Sequence, residues 1–354
     1  MGVRPARAAF AAVLVCTAML LCAAGCATGP ARTPTAPSSA AAASGVFGAI
    51  PGENPALTVT GGAVYLSWYA SPAGPGLPRM VLARIDVRTG AITARNAFSP
   101  GLVGAPLFAD GWLWVTDSTA LGEFLLRLGP ATLMVTGGLR FSDEQYAGGA
   151  HVAYAGGWLW LDGADQLLRV SPSSVETTAD VRLPGAYRSD VGATADGSVL
   201  VDSEQGVTGA VQRRNPDTGA LLAAHPVFAE NASIDGFPDS GVWITEVGGS
   251  SAFAELLSTA TMTVRAMPSI PSPNDLSVRV ADGVLWVTEN EAGGPQRDFC
   301  ADPDTGRRLS PLPITSPAQG RLLGVDGGLL YYSEPVRHGT GSRVVPVPVP
   351  AACG

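Results

Sequence analysis

Residues 281–289 read ADGVLWVTE, and versions of this nonapeptide recur along the chain. They appear as FADGWLWVTD at 108–117, YAGGWLWLD at 154–162, ADGSVLVD at 195–202, DSGVWITE at 239–246 and VDGGLLYYSE at 325–334, with a more degenerate TGGAVYLSW at 60–68. The glycines that open the apolar runs are Gly62, Gly111, Gly157, Gly197, Gly241, Gly283 and Gly328, at intervals of 49, 46, 40, 44, 42 and 45 residues. Strand-like text at that period is the sequence signature of a β-propeller, one repeat for each blade.

The unit has a physical logic. An Asp-Gly or Gly-Gly pair closes a tight hairpin, because glycine takes positive φ at little cost, and the Val/Leu/Trp/Ile/Thr run that follows suits a pleated strand. Runs such as Trp112-Leu113-Trp114-Val115 are apolar on both faces, as a strand sandwiched between neighbouring blades must be. A second turn marks the other half of the repeat: DVRTG at 86–90, NPDTG at 215–219 and DPDTG at 302–306, with SPSSV at 171–175 as a weaker copy. Gly90, Gly219 and Gly306 precede the next anchor glycine by 21, 22 and 22 residues, so the two turns keep phase. The fold that follows is all-β, a propeller of seven four-stranded blades over residues 46–354, about 44 residues each. Residues 46–50 and 56–60 supply two strands ahead of the first anchor, and the first of these is expected to complete the last blade as its outer strand and close the ring.

The N-terminal residues read differently. Arg4 and Arg7 precede an uncharged apolar run from 8 to 24 that ends in Ala23-Ala24-Gly25-Cys26. This resembles a bacterial lipobox, with Ala23 in place of the usual leucine, and the resemblance implies a signal peptide over 1–25 and thioether lipidation of Cys26. An ordinary secretory signal, or a retained and somewhat short transmembrane helix, are the other readings. Residues 26–45 then form a Pro/Ser/Thr/Ala-rich tether with little apolar surface to order it. The expectation is a lipid-anchored, extracytoplasmic protein at a cell membrane. With 22 Lys plus Arg against 30 Asp plus Glu the chain carries −8, and it lacks the basic surface that nucleic-acid binding requires. Once Cys16 and Cys22 leave with the signal and Cys26 takes lipid, Cys300 and Cys353 remain. They form either a disulfide across the last blades or two unpaired thiols, Cys300 in a strand and Cys353 in a frayed tail.

The repeats WITE at 243–246 and WVTE at 286–289 resemble the Trp-Phe-Thr-Glu repeats of virginiamycin-B-lyase-like propellers, and DPDTG at 302–306 resembles the YVTN and NHL type. That resemblance implies the ring and leaves the activity open. The Asp-x-x-Thr-Gly turns also resemble those of quinone-dependent dehydrogenases, but the tryptophan that follows the turn there is missing at all three clear copies, and no vicinal cysteine pair occurs.

Six of the seven units end the second strand in an acid: Asp117, Asp162, Asp202, Glu246, Glu289 and Glu334. One reading is a rim of carboxylates on the ligand-bearing face, focusing field on Ca2+, Mg2+ or a cationic ligand. The plainer one is that they terminate strands and stay solvated. His151, just ahead of an innermost strand, is either a channel-facing base or ligand or a polar strand-end residue, whereas His225 and His338 read as surface positions. The tryptophans at repeat positions read as blade core. Trp68 stands where other units carry the acid, which marks it, with Tyr69 and the Pro-rich loop over 69–78, as an exposed aromatic binding loop. Two functions of different class follow. The first is a noncatalytic binding or scaffold module for an extracytoplasmic protein, glycan or small ligand. The alternative is a metal-assisted lyase or lactonase that draws on the rim acids, distinguished by convergence of His151, Glu246, Glu289 and Glu334 on one pocket.

Overall fold

The computed structural model describes residue 50 and most of 53–354, leaving out 51–52, 61–62, 71–78, 87–88, 90, 143–149, 164, 184–187, 206–207, 228–230, 237–240, 249–250, 266–269, 273–274, 291–295, 311–313, 315–319 and 336–341. Cys26, residues 46–49, the loop 71–78 and His338 therefore lie outside the described residues.

The described residues form strands and turns. Blade 1 comprises β1 (Glu53–Thr60), β2 (Ala63–Ala70), β3 (Arg79–Ile85) and β4 (Ile92–Val103). Blade 2 comprises β5 (Leu107–Ala109), β6 (Trp112–Thr119), β7 (Gly122–Leu128) and β8 (Val135–Ser142). Blade 3 has β9 (Val152–Ala155), β10 (Trp158–Gly163), β11 (Gln166–Ser171) and β12 (Glu176–Arg182). Blade 4 has β13 (Arg188–Ala193), β14 (Val199–Gln205), β15 (Thr208–Arg214) and β16 (Leu221–Val227). Blade 5 has β17 (Asn231–Gly236), β18 (Gly241–Gly248), β19 (Ser251–Ser258) and the short β20 (Ile270–Ser272). Blade 6 has β21 (Asp275–Ala281), β22 (Val284–Asn290) and β23 (Gln296–Ala301), and blade 7 has β24 (Arg321–Asp326), β25 (Leu329–Pro335) and β26 (Ser342–Pro348).

Neighbouring strands within each blade are antiparallel. Blades 1 and 2 are fused, because β4 runs on past blade 1 and its last residues, Gly101 to Val103, pair with Thr119 to Asp117 of β6. The fourth-strand place of blade 6 is held by two isolated bridges, Ala301 with Arg308 and Asp298 with Ile314. In blade 7, Ile50 exchanges backbone hydrogen bonds with Ser342 at the edge strand β26, at 2.7 and 3.2 Å. Of the expected closing strand only this residue is described.

Seven apolar cores, one for each seam between consecutive blades, join the blades into a ring. Strand alternation builds them. In β6, Leu113 and Val115 pack toward blade 1 while Trp114 packs toward blade 3, and in β10 Leu159 and Leu161 face blade 2 while Trp160 faces blade 4. Trp243 and Trp286 repeat the pattern in β18 and β22, and Tyr331 takes the place in β25. The seam between blades 7 and 1 joins Leu323, Tyr331 and Val344 to Leu57, Val64 and Leu66.

The first-to-second-strand hairpins behave as their sequence predicts: Asp110-Gly111, Gly156-Gly157, Asp282-Gly283 and Gly327-Gly328 all place two residues at positive φ. The third-to-fourth-strand turns lie at the same, lower end of the blades. In 215–219 and 302–306 the side chain of Asn215 or Asp302 accepts two following backbone N–H groups, and Gly219 and Gly306 bond back to the first residue's carbonyl at 2.8 Å. The same turn recurs at 129–133 and 258–262, where the positive-φ place is taken by Leu133 and Met262. Both side chains are buried in the adjoining seams. Cys300 and Cys353 are joined in a disulfide that ties the C-terminal residues to β23.

Candidate functional site

At the upper end of the blades, where the second strands finish, the acids in repeat positions divide by the side of the blade they face. The strand residue that points to the following blade is Trp114, Trp160, Leu200, Trp243, Trp286 or Tyr331. Asp117, Glu246, Glu289 and Glu334 lie three residues beyond it, whereas Asp162 and Asp202 lie only two beyond. Because side chains alternate along a strand, a one-residue difference reverses the face. Asp162 and Asp202 therefore look to the following blade, and the other four look back.

Five of the six are buried, not solvated: Asp117 at 6 %, Asp162 at 5 %, Asp202 at 2 %, Glu246 at 4 % and Glu334 at 3 % exposure. Each meets different surroundings. The Glu334 carboxylate accepts from Arg343 Nε and Nη2 at 2.8 and 2.6 Å. Glu289 is half-buried opposite Arg297 in the β22–β23 register. Burial, and secondly the charge of Glu123, push the Asp117 carboxyl up to about 6, and its Oδ1 has no hydrogen-bond partner among the described residues.

The most developed of these sites is at the inner ends of blades 3 and 4. His151 precedes β9 and is positioned by its neighbour Ala150, whose carbonyl accepts from Thr116 Oγ1 at 2.5 Å. Asp162 takes the His151 backbone N–H on Oδ1 and places Oδ2 3.4 Å from His151 Nδ1. Asp190, on the first strand of blade 4, puts Oδ1 3.5 Å from the same nitrogen and accepts the Val191 N–H at 2.8 Å. The imidazole is half exposed while Asp162 is buried, so the ring reaches outward from a carboxylate base. Burial raises both aspartates above their ordinary range, with His151 opposing the shift. Two carboxylates at Nδ1 favour the tautomer with its proton there and leave Nε2 as the basic nitrogen. The arrangement can accept a hydrogen bond from a ligand or, when protonated, present a cation over an acidic floor.

Among the described residues, one group of three His, Asp or Glu side chains has its donor atoms all within 4.8 Å of one another, and it is His225, Glu246 and Glu255. The structure thus distributes His151, Glu246, Glu289 and Glu334 over blades 3, 5, 6 and 7 and gives His151 and Glu246 separate companions. His225, read from sequence as a surface position, is partly buried against blade 5. Trp68 is the clearest departure from expectation: it is buried, at 1 % exposure, in the seam with blade 7. It lies an even number of residues from Val64 and Leu66 and so shares their inward face, and the Arg95 guanidinium sits 5.3 Å from its ring. Tyr69 is partly buried and pairs with Met80. Asp190, Glu123 and Glu255 stand outside the repeated motif, and no sequence signal marks them.

No protein-family model and no curated protein matches the sequence. Solved structures do resemble it in fold. BamB from Moraxella catarrhalis superposes with a TM-score of 0.53 at 11% identity, over 83% of this chain and 84% of that one. The Neurospora crassa Pan2 WD40 domain gives 0.56 at 10% identity, over 85% and 89%. At such identities the likeness is one of fold alone.

Proposed function

We propose that this chain is a lipid-anchored extracytoplasmic propeller, with blades of the YVTN, NHL and virginiamycin-B-lyase-like type, that binds a protein partner through the upper face of blades 3 and 4. Its signal peptide over 1–25, lipidation at Cys26 and tether over 26–45 would hold the ring off the outer side of a cell membrane. The observation that carries the binding reading is the half-exposed His151 standing on buried Asp162 and on Asp190 at the inner strand ends. A preoriented imidazole with two carboxylates beneath it suits a hydrogen-bonding or cationic group on a partner. The rim acids support the same reading, since several are occupied within their own blade or seam, as Glu334 is by Arg343.

The test is photo-crosslinking in the full chain at its membrane, with a photoreactive amino acid replacing Asp165, exposed beside the β10–β11 turn at the upper end of blade 3, and, as control, Glu176 on the exposed outer strand of the same blade. A discrete adduct from position 165 that is absent from position 176, and that weakens in His151→Ala, is the expected result. Equal labelling from both positions would overturn it. The competing lyase or lactonase reading draws on Ca2+ or Mg2+ held by rim acids, and a saturable thermal shift with either ion, lost in Glu246→Gln/Glu289→Gln, would favour it.

A further inference from the structure

Among the described residues, the seam between blades 4 and 5 holds the one cluster of three His, Asp or Glu side chains with metal-ligand spacing, and we infer that it is a site for a zinc-like divalent cation, ligated by His225, Glu246 and Glu255. This goes beyond the partner-binding reading and does not depend on it. The strand register explains how the three side chains meet. His225 pairs with Val211 across β15 and β16, and Val211 belongs to the core packed on blade 5. In β18 and β19, Glu246 pairs with Phe253 and Ile244 with Glu255, so both glutamates share the face of Ile244, which packs on blade 4. Diagonal neighbours on one face of an antiparallel pair are within reach of long side chains.

The donor atoms of the three residues all lie within 4.8 Å of one another. Zinc bonds to imidazole nitrogen and carboxylate oxygen are about 2.0–2.2 Å, which separates tetrahedral ligands by roughly 3.4 Å. Modest side-chain rotation closes that difference. The charge of the seam favours a cation as well: Glu246 is 96 % removed from water, at 4 % exposure, and buried Asp202 faces the same seam from blade 4. Two carboxylates this close, Glu246 buried and Glu255 partly buried, repel when both are ionised, and a divalent ion between them converts repulsion into attraction. One nitrogen and two oxygens suit Zn2+ and its first-row neighbours, whereas Ca2+ takes six to eight oxygens. Three protein ligands also leave a position open to water or to a ligand. Since the donors come from two blades, the ion would staple blade 4 to blade 5, as the disulfide ties the chain end to blade 6.

The experiment uses the full chain after chelator treatment, titrated with Zn2+ by calorimetry and with Co2+ by visible absorption. The expected result is one saturable site, a rise in melting temperature with Zn2+ but none with equal Ca2+, and Co2+ bands of a low-coordinate nitrogen–oxygen site. His225→Ala and Glu255→Gln should each weaken binding by at least about tenfold. A His225→Cys variant keeps the test independent of any folding defect, because a metal-bound thiolate adds a sulfur-to-cobalt charge-transfer band. Failure of the chain to bind Zn2+, binding unchanged in His225→Ala and Glu255→Gln, or a His225→Cys variant that binds Co2+ without that band would each overturn the assignment.

Discussion

At the lower end of the ring, five consecutive turns from 129–133 to 302–306 each accept a hydrogen bond from the preceding blade, whereas at the upper end six acids in matching repeat positions meet differing surroundings. The lower contacts run from Tyr65 to the Pro130 carbonyl, Arg127 to those of Pro172 and Ser173, Arg169 to Asp217, Arg213 to Ala260, and Trp243 Nε1 to Pro303. The donor changes from Tyr to Arg to Trp while the acceptor stays a backbone carbonyl near the second or third turn residue. A backbone acceptor is available whatever side chain the turn carries, so sequence can drift while the latch persists. The acids of the upper end contact through side chains, and one residue more or less before the acid turns it to the other blade. The lower end therefore preserves the ring, and the upper end is where one blade came to differ chemically from the next.

The largest expected effect belongs to the closure of the ring between blades 7 and 1. Ile50 is buried in the core between blades 7 and 1, and its backbone is bonded to Ser342. Deleting residues 46–50 should cost more than the roughly 2–5 kcal/mol of an isoleucine truncated to alanine, since it also removes the two backbone hydrogen bonds between Ile50 and Ser342. A thermal melt of the truncated chain against Ile50→Ala measures this, and an unchanged melting temperature for the deletion would detach closure from the N-terminal residues.

A subtler test concerns the turns themselves. Replacing Leu133 by Gly restores the commoner turn residue and relieves a positive φ of 58°, a strain of about 1–2 kcal/mol. It also empties a fully buried place in the seam between blades 1 and 2, at about 3–5 kcal/mol. The net expectation is destabilisation by roughly 1–4 kcal/mol in a denaturant titration. Gly219→Ala should destabilise for a different reason, as its new Cβ would come within 2.4 Å of Val181 Cγ2. Were Leu133→Gly stabilising, the seam contact would weigh less than the turn strain.

These turns also show what the sequence makes legible. Glycine spacing reveals the blades because positive φ in a tight hairpin selects that residue type at Gly111, Gly157, Gly197, Gly283 and Gly328, while at Gly241 the Leu257 carbonyl leaves no room for a Cβ. The turns at 129–133 and 258–262 escape such a reading, since Leu133 and Met262 hold the same backbone shape for the sake of a buried side chain. Trp68 and the acids mislead for a shared reason: counting from the glycine ignores which face a strand residue occupies. Counting from the second-strand residue that points to the following blade, Tyr65 in blade 1, Trp160 in blade 3 and Leu200 in blade 4, recovers both the inter-blade face of Trp68 and the reversal at Asp162 and Asp202. The meeting of His225 with Glu246 and Glu255, or of His151 with Asp190, depends on how two blades pack, and no single repeat encodes it.

The smallest expected effect belongs to the upper end and carries a sign. The Asp117 carboxyl titrates near 6 in the folded chain, raised from 3.8 by burial and then by Glu123. A folded-state value above the unfolded one means that the native protein holds the proton more tightly, so this group favours folding in acid. Its contribution is fully present below about pH 4 and is lost as pH rises through 6, to a total of roughly 1–3 kcal/mol. Asp117→Asn keeps the shape and removes the charge. Its stability relative to the parent should rise between pH 4 and pH 7 and level off above that, by urea denaturation at each pH. A difference between the two chains that stays flat with pH would mean that Asp117 is solvated as its strand-end position suggests, and would remove one of the contrasts between the upper ends of the blades.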